Sequence, residues 1–375
     1  VSRFDRYLLS QLLTLFGFFS LVLVSVYWIN QAVRLFEQLI ADGQSAWVFL
    51  EFSLLTLPNV IRMVLPVSAF AAAVYVTNRL SAESELVVMQ ATGFSPWRLA
   101  RPALAFGLIV AALLSVLTHV LVPASRTGLA ERRIEIAENI TAQFLVDGSF
   151  QHPAAGITLY IREITLRGEL LDIYLSDARN TEQRTTYTAE RALLVRAETG
   201  PKLVMFEGMA QTLESDGNRL FVTRFDDFTY DIGALITRAG DRRQDLREFS
   251  TATLLAPTAE AMEIARQPRA VFLAEGHSRF SQPLTAAVFV LIGFSALLTG
   301  SFSRFGTWRQ IAVAVLLLIV VQMLANVGAS AAQGNAALWP LSYLPVAVGA
   351  ALAAGLLWLA ARPRRVRVPV AEVAA

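Results

Sequence analysis

Six apolar runs, three on either side of one long polar interval, limit what this chain can fold into. They are Leu12–Val33, Asn59–Asn78, Pro102–Val122, Pro283–Phe302, Gln310–Ala332 and Leu341–Ala361. Each is close to the roughly 20 residues a helix needs to cross the hydrocarbon core of a bilayer. Only Arg62 puts a formal charge inside one of them. Composition agrees, with 55% hydrophobic and 17% charged residues, where a soluble domain carries about 25% charged. The first run is too long, and lacks the small-residue cleavage site, to be a removable signal peptide. The reading is an α-helical membrane protein with six permanent spans.

Arginine placement orients the spans. With the N-terminus inside, the inner pieces hold Arg3 and Arg6, then Arg79, Arg98 and Arg101, then Arg304 and Arg309, and finally Arg362, Arg364, Arg365 and Arg367. The short outer loop QGNAALWP has no basic residue. Both termini are therefore expected in the cytoplasm, and the polar interval outside. The expected organisation is spans one to three in 1–122, an extracytoplasmic domain in 123–280, and spans four to six with a basic tail in 281–375.

Within the outer domain, Ala124–Leu145 continues span three as a helix, and from Gly148 the apolar period changes to two. GITLYIREI alternates Ile157, Leu159 and Ile161 against Thr158, Tyr160 and Arg162. Comparable runs follow, separated by turn signals at Arg167-Gly168, Gly200-Pro201 and Asp216-Gly217-Asn218. Successive strands without intervening helices predict an antiparallel β-sandwich or jelly-roll-like domain over about 146–233, with open edges that a partner strand can extend. Beyond Ile232 the chain turns polar, and Ser250, Pro257 and Pro268 punctuate short helices before span four.

Enzyme chemistry finds no foothold. Lys202, in GPKLV, is the only lysine, so no phosphate-binding GxxxxGK[ST] loop exists. His119, His152 and His277 lack metal-ligand spacing, and no HExxH or GxSxG motif occurs. Cysteine is absent and the net charge is only +2, which argues against thiol chemistry and against nucleic acid as a partner. No cofactor, no metal and no catalytic residue is expected; energised work would draw on a separate ATPase subunit.

Two groups of residues carry the functional expectation. The first is RLSAESELVVMQATGFSPWRLAR, Arg79–Arg101, between spans two and three. Ser81 is placed as the N-cap of a coupling helix over 80–93, with Glu83 and Glu85 in its first turn. Leu86, Val87, Val88 and Met89 supply an apolar surface, Gly93 stops the helix, and Ser95-Pro96 restarts the next. Helices that bind inner leaflets are usually basic, so this acidic one is assigned a protein partner with a basic groove. The second group is cationic and lies at the outer level: Arg34 after span one, Arg62 one turn into span two, and Arg279 beside His277 before span four. Guanidiniums there suit bidentate phosphate binding; snorkelling or pairing with Glu37 is the competing reading for Arg34, and ordinary boundary placement for His277. Gln322 and Asn326 share one face of span five, fit for interhelical hydrogen bonds.

The segment AESELVVMQATGFSPWRLARP resembles the coupling-helix signature of the LptF/LptG permeases, membrane subunits of the lipopolysaccharide-export ABC transporter. RFDRYLLSQL, LAEGHSRFSQPL and TGSFSRFG are similar to other parts of the family, and NQAVRLF is closer to LptF than to LptG. The resemblance implies that the chain pairs with the second permease, so that spans one and five of each face a cavity open to the outer leaflet. It also implies that an LptB ATPase dimer pushes the coupling helices from the cytoplasmic side of the Gram-negative inner membrane. Lipopolysaccharide then passes into jelly rolls continued by LptC. Carried over by position, Glu85 meets a basic residue of the ATPase and Arg34 is the basic residue ending span one; Arg62 has no counterpart. The alternative is a membrane-anchored scaffold or sensor that binds a protein without transport.

Overall fold

The computed structural model describes residues 3–41, 46–143, 147–152, 156–165, 168–180, 183–197, 200–214, 219–231, 243–299 and 307–362. They fall into two compact units, Val1–Leu129 with Gln244–Ala375, and Ala130–Arg243. The turn at 216–218 and the arginines at 304, 364, 365 and 367 lie outside the described residues.

Among the described residues, the first unit contains six helices long and apolar enough to cross a membrane. They are α1 (Arg3–Ala41), α2 (Ala46–Ala82), α4 (Pro96–Val116), α8 (Arg269–Leu298), α9 (Trp308–Gly334) and α10 (Leu344–Ala361). A short α3 (Glu85–Ala91) separates α2 from α4. After α4 one π-helical turn, Leu117–Leu121, leads into α5 (Val122–Gln143), so span three runs on as a helix beyond its apolar run. The helices outlast the apolar runs because nothing in the flanking sequence stops them: Arg3–Ser10, for example, holds no Gly or Pro. Before α8 come α6 (Thr251–Leu255) and α7 (Ala259–Ala265), each opened by a hydroxyl that accepts from a backbone N–H. Ser250 Oγ accepts from Thr253 N at 3.1 Å and Thr258 Oγ1 from Ala261 N at 3.2 Å, and Pro268 precedes α8.

Between helices in a bilayer, association rests on close packing rather than on exclusion of water. Gly107 of α4 shows this. A Cβ there would lie 3.1 Å from the backbone of Ala287 in α8, so the two helices touch through backbone. One contiguous cluster joins Leu8, Leu12 and Phe16 of α1, Ala69 and Ala73 of α2, Phe106 and Val110 of α4, Val290 and Phe294 of α8, and Leu357 of α10. Burial is unequal among the spans. Within its most apolar 18-residue window α8 is 83% buried, whereas α1 is 11% and α9 17% buried.

The second unit holds one antiparallel sheet of six strands in sequence order, β1 (Phe150–Gln151), β2 (Ile157–Ile164), β3 (Glu169–Asp177), β4 (Gln183–Ala197), β5 (Gly200–Glu214) and β6 (Leu220–Asp231). Its inward residues do not keep a constant period of two. In β2 they are Ile157, Leu159 and Ile161, then two exposed residues, then Ile164; in β3 Leu170 is followed by Ile173 and Leu175. The same slip of one residue occurs in β4 between Ala189 and Ala192, and in β6 between Phe225 and Phe228. It falls on one line across the sheet, because Arg162, Asp172, Glu190, Glu207 and Asp226 are the residues skipped at matching places in the strand pairing. All five are exposed, and Asp172 and Glu207 take left-handed φ of 46° and 54°. Bulge-like residues bend a strand, and five in register crease the sheet. The inward residues on both sides of the crease share one core.

Two features hold the crease. Gly208 sits next to it, where a Cβ would collide with the carbonyl oxygen of Thr188 and the ring of Phe225; the aromatic ring of the neighbouring strand takes the place of a side chain. The two leaves are then clasped away from the crease. Tyr230 of β6 donates its hydroxyl to Asp177 Oδ2 of β3 at 2.8 Å, and Arg179 Nη2 donates to the same oxygen at 2.6 Å. Tyr187 of β4 stacks on Phe228 with centroids 5.1 Å apart, lining the closure with rings. Hydrogen bonds from Arg179, despite partial desolvation, hold the Asp177 carboxyl down at about 2, and burial pushes the Tyr230 hydroxyl up.

Because the folded pKa of Asp177 lies below its unfolded value, its contribution is fully present above about pH 4 and is lost as pH falls through about 2. Asp177→Asn is expected to lower the stability of this sheet by about 1 kcal/mol at pH 7, after allowance for solvent screening. Amide exchange in β3 and β6 of the full chain measures it: wild type and variant differ at neutral pH and converge toward pH 2.

Candidate functional site

The segment between spans two and three begins differently from its sequence reading. Ser81 does not cap a new helix; α2 continues through it to Ala82. The ion pair Arg79 Nε–Glu83 Oε1, 2.9 Å at i,i+4 spacing, supports the last turn of α2. The break comes at Ser84, which is left-handed with φ 63°, and α3 starts at Glu85.

The end of α3 is as the sequence implies. Gly93 has φ 93°, its N–H donates to Gln90 O at 3.0 Å, and Phe94 N–H donates to Met89 O at 3.2 Å. These two bonds form the Schellman stop, with Met89 and Phe94 both packed on the membrane core beneath. Ser95 then caps α4, its hydroxyl accepting from Arg98 N at 3.2 Å, with Pro96 as first helical residue.

The apolar ridge of α3 divides. Leu86 is 4% exposed and belongs to the membrane core cluster, and Met89 packs against that cluster. Leu86 therefore does not offer a surface to a partner, which corrects its assignment as an ATPase contact. The outward apolar surface is Val87 and Val88, 45% and 58% exposed. Glu83 is exposed beside Arg79, while Glu85 is half-buried and accepts a 3.4 Å hydrogen bond from Tyr7 of α1.

That bond is one of three ties from this segment to the start of α1. Phe4 meets Phe94 edge-on at 6.3 Å. Arg98 grips Asp5 with both arms, Nη1–Oδ1 and Nη2–Oδ2 each 2.7 Å, a bidentate pair of fixed geometry. Sequence reasoning missed Asp5. Flanked by Arg3 and Arg6 in RFDRYLL it reads as a solvated terminal acid, and only its distance from Arg98 reveals the pair.

The outer arginines do not form one group. Arg34 is exposed on α1 and its Nε donates to Asn30 O in its own helix at 3.3 Å; the side chain of Glu37, its alternative partner, is not among those described. Arg62 is half-buried on α2, where Nη2 reaches Asn59 Oδ1 at 3.4 Å. It lies within electrostatic range of Arg126, Arg247, Arg279 and Glu275, a grouping that draws on four separate elements and has no linear motif. Arg279 departs from its expected role as an open cation. It is 2% exposed, donates from Nη1 to Thr251 Oγ1 at 3.0 Å, and reaches the carbonyls of Leu246 and Arg247 at 3.4 Å from Nη2. It fastens the 246–251 stretch onto α8 and is unavailable to a lipid. His277 stacks on Trp339 at 4.2 Å and contacts the Tyr343 hydroxyl at 3.2 Å, a boundary role. Gln322 Nε2 and Asn326 Oδ1 bond to each other at 3.4 Å on an exposed face of α9. Among the described residues, no group of three or more acids and histidines is arranged to hold a metal.

Six membrane-crossing helices, an intervening helix tied to the first span and an inserted antiparallel sheet define a multi-pass membrane permease subunit. The chain belongs to the lipopolysaccharide export system permease family LptF/LptG, whose model matches residues 6–361. It is 23% identical over 322 residues to an uncharacterized protein of Rickettsia prowazekii (strain Madrid E), covering 85% of this chain and 88% of that one. It is 24% identical over 230 residues to the lipopolysaccharide export system permease protein LptF of Escherichia coli (strain K12), covering 60% of this chain and 61% of that one. The match to LptF of Shigella flexneri has the same extent.

Gly93→Ala is expected to cost about 1–2 kcal/mol locally, because Ala must adopt a positive φ although its Cβ meets open space. Gly93→Asn is expected to cost less, since Asn tolerates that conformation. Amide exchange at Gly93 and Phe94 in the intact protein ranks the two.

Proposed function

We propose that this lipopolysaccharide-export permease is one half of a paired membrane assembly that extracts lipopolysaccharide from the outer leaflet of the inner membrane. The observation that carries the reading is the unequal burial of the spans. The windows of α1 and α9 are only 11% and 17% buried, against 83% for α8, and α9 adds the exposed Gln322–Asn326 pair. Polar groups on an otherwise apolar span favour a protein partner or a polar cavity over lipid. The second permease, LptG or LptF, fits that surface, with the glycolipid held between the two chains. Arg34, exposed on α1, is the cation best placed for its phosphates, and Arg62 is the second.

An LptB ATPase dimer is the proposed motor. It would dock on α3 from the cytoplasmic side, where both termini lie, and the contact surface would be Val87 and Val88 with Glu83 and Glu85 beside them. The extracytoplasmic sheet would receive the lipid and continue through LptC into a periplasmic bridge. No cofactor is required of this chain, and ATP hydrolysis belongs to the partner.

Two variants separate docking from folding. Val88→Glu changes an exposed residue and is expected to reduce copurification of the ATPase about tenfold with the permease still folded, which amounts to about 1.4 kcal/mol. Leu86→Ala removes a buried side chain and is expected to destabilise the membrane unit by about 2–4 kcal/mol instead. Full ATPase recovery with Val88→Glu would place the motor elsewhere. Neutralising Arg34 and Arg62 together is expected to reduce photocrosslinking to lipopolysaccharide by about tenfold, the equivalent of one lost charge-assisted contact. Unchanged crosslinking removes both from the lipid site.

A further inference from the structure

The two least buried spans, α1 and α9, are each tied at one end to a helix that flanks α3. Asp5, in the first turn of α1, accepts from both guanidinium arms of Arg98 in the first turn of α4, at 2.7 Å each. The pair is sheltered, with side chains 14% and 26% exposed for Asp5 and Arg98 respectively. On the other side of α3, Asn78 lies near the end of α2 and Thr307 stands immediately before α9. The Thr307 hydroxyl donates to Asn78 Oδ1. Thr307 is the N-cap of α9, where a threonine side chain ordinarily accepts from a backbone N–H of its own helix. It makes no such bond here, and its hydroxyl is directed to α2 instead. The partners are 93 and 229 residues apart in the chain, so neither tie belongs to the local structure of a helix.

These links differ from the apolar packing around them. Phe94 against Phe4, or Leu86 beside Leu8 and Leu12, resists compression but yields to sliding, because dispersion contacts are individually weak and non-directional. A bidentate guanidinium–carboxylate pair fixes distance and orientation together. Breaking it in a sheltered site leaves a charge without its partner, which costs more than breaking a surface pair. Such a link carries pull and twist as well as push. Position matters equally. Asn78 is in the helix before α3 and Arg98 in the helix after it, so a movement of α3 acts on both. The helices they reach have apolar windows only 11% and 17% buried, against 83% for α8. Little packing within the chain opposes motion of those two spans, so one polar link at the end of each is enough to draw it along.

We propose that the Asp5–Arg98 pair and the Asn78–Thr307 bond are two separate transmission links: when α3 is displaced, the first moves α1 and the second moves α9. All four are positioning residues, with no contact to the ATPase or the lipid assigned to them. The inference rests on the proposed docking of an ATPase at α3, and adds which spans its stroke reaches and through which side chains. The complex of both permeases and the ATPase dimer in nanodiscs tests it. This chain has no cysteine, so with cysteine-free partners spin labels go to chosen sites alone. Leu21→Cys on α1 or Met323→Cys on α9 is paired with Leu359→Cys on α10, all three exposed positions. Label distances are measured with and without a non-hydrolysable ATP analogue, beside ATP hydrolysis and lipopolysaccharide release. With the links intact, both distances are expected to shift when nucleotide binds. Asp5→Asn is expected to abolish the shift at α1 and keep that at α9, and Thr307→Val to do the reverse. Both variants are expected to retain the ATPase and its hydrolysis rate, while lipopolysaccharide released per ATP falls about tenfold. Thr307→Ser, which keeps the hydroxyl, and Asp5→Glu, which keeps the carboxylate, are expected to recover both shift and release. Unchanged shifts in Asp5→Asn and Thr307→Val, loss of both shifts together in either, loss of the ATPase from the complex, or no recovery with the conservative variants would each overturn the links. Failure of the ATPase reading is seen separately, as no copurified ATPase and no nucleotide-dependent shift with the links intact, and takes this inference with it. Wild-type behaviour of the variants in a working complex removes the links alone.

Discussion

The membrane unit depends on the near-complete enclosure of α8. A helix buried on most of its circumference must have neighbours that come close on every side, and in lipid that closeness has to come from small residues and interdigitation. Ala286, Ala287, Gly293 and Ala296 are all buried on α8, and Gly107 of α4 brings backbone to backbone against Ala287. Its hydroxyls are satisfied within the helix: Thr285 donates to Ser281 O and Ser295 to Leu291 O. With these hydroxyls answered internally, and Arg279 bonded to the 246–251 stretch, α8 can be surrounded without needing water. The spans that enclose it are thereby fixed, and α1 and α9 are left with most of their apolar surface uncovered by this chain.

The β domain solves a different problem. A single six-stranded sheet has two faces, and on its own it would leave one apolar face wet. The crease removes that cost by folding the apolar face inward on itself, so one sheet supplies both walls of its core. The skipped row of charged residues stays on the convex side, where Arg162 pairs with Asp172 at 2.5 Å. The Asp177–Arg179–Tyr230 clasp then joins β3 to β6, strands that are not neighbours in the sheet.

Much of this was legible in the sequence, and the failures are specific. The six spans, the strand region, Ser95-Pro96 and the Gly93 stop all rest on local rules, namely length, period and cap chemistry. Ser81 misled because its capping signal competed with a helix that had no reason to stop: Ala82 favours helix and Glu83 pairs back to Arg79. Leu86 misled because ELVVMQA is apolar at most positions, so direction is set by what lies beneath it and not by period. Arg279 could be placed in height but not in depth. Its partners, Thr251 and the carbonyls of Leu246 and Arg247, lie about 30 residues upstream without a motif. The crease was present in the sequence as a repeated one-residue slip, Ile161 to Ile164 and Ile173 back to Leu170, but a constant period of two conceals it.

The ties around α3 indicate where a force on it would go. Glu85, Phe94 and Arg98 connect respectively to Tyr7, Phe4 and Asp5, all in the first turns of α1. Leu86 is rooted in the core cluster that contains Leu8 and Leu12 of the same helix. The chain turns sharply at both ends of α3, at the left-handed Ser84 and at Gly93, and α3 is joined sideways to α1 through Glu85 and Leu86. A displacement of α3 by a motor would therefore reach α1 directly through Glu85 and Leu86, and through the turn and the start of α4 by the Phe94–Phe4 and Arg98–Asp5 contacts. The span that receives it is the least enclosed of the six. In the proposed mechanism that is the required wiring: the helix free to move is the one that carries Arg34 and faces the lipid, while α8 stays fixed as the body against which it moves.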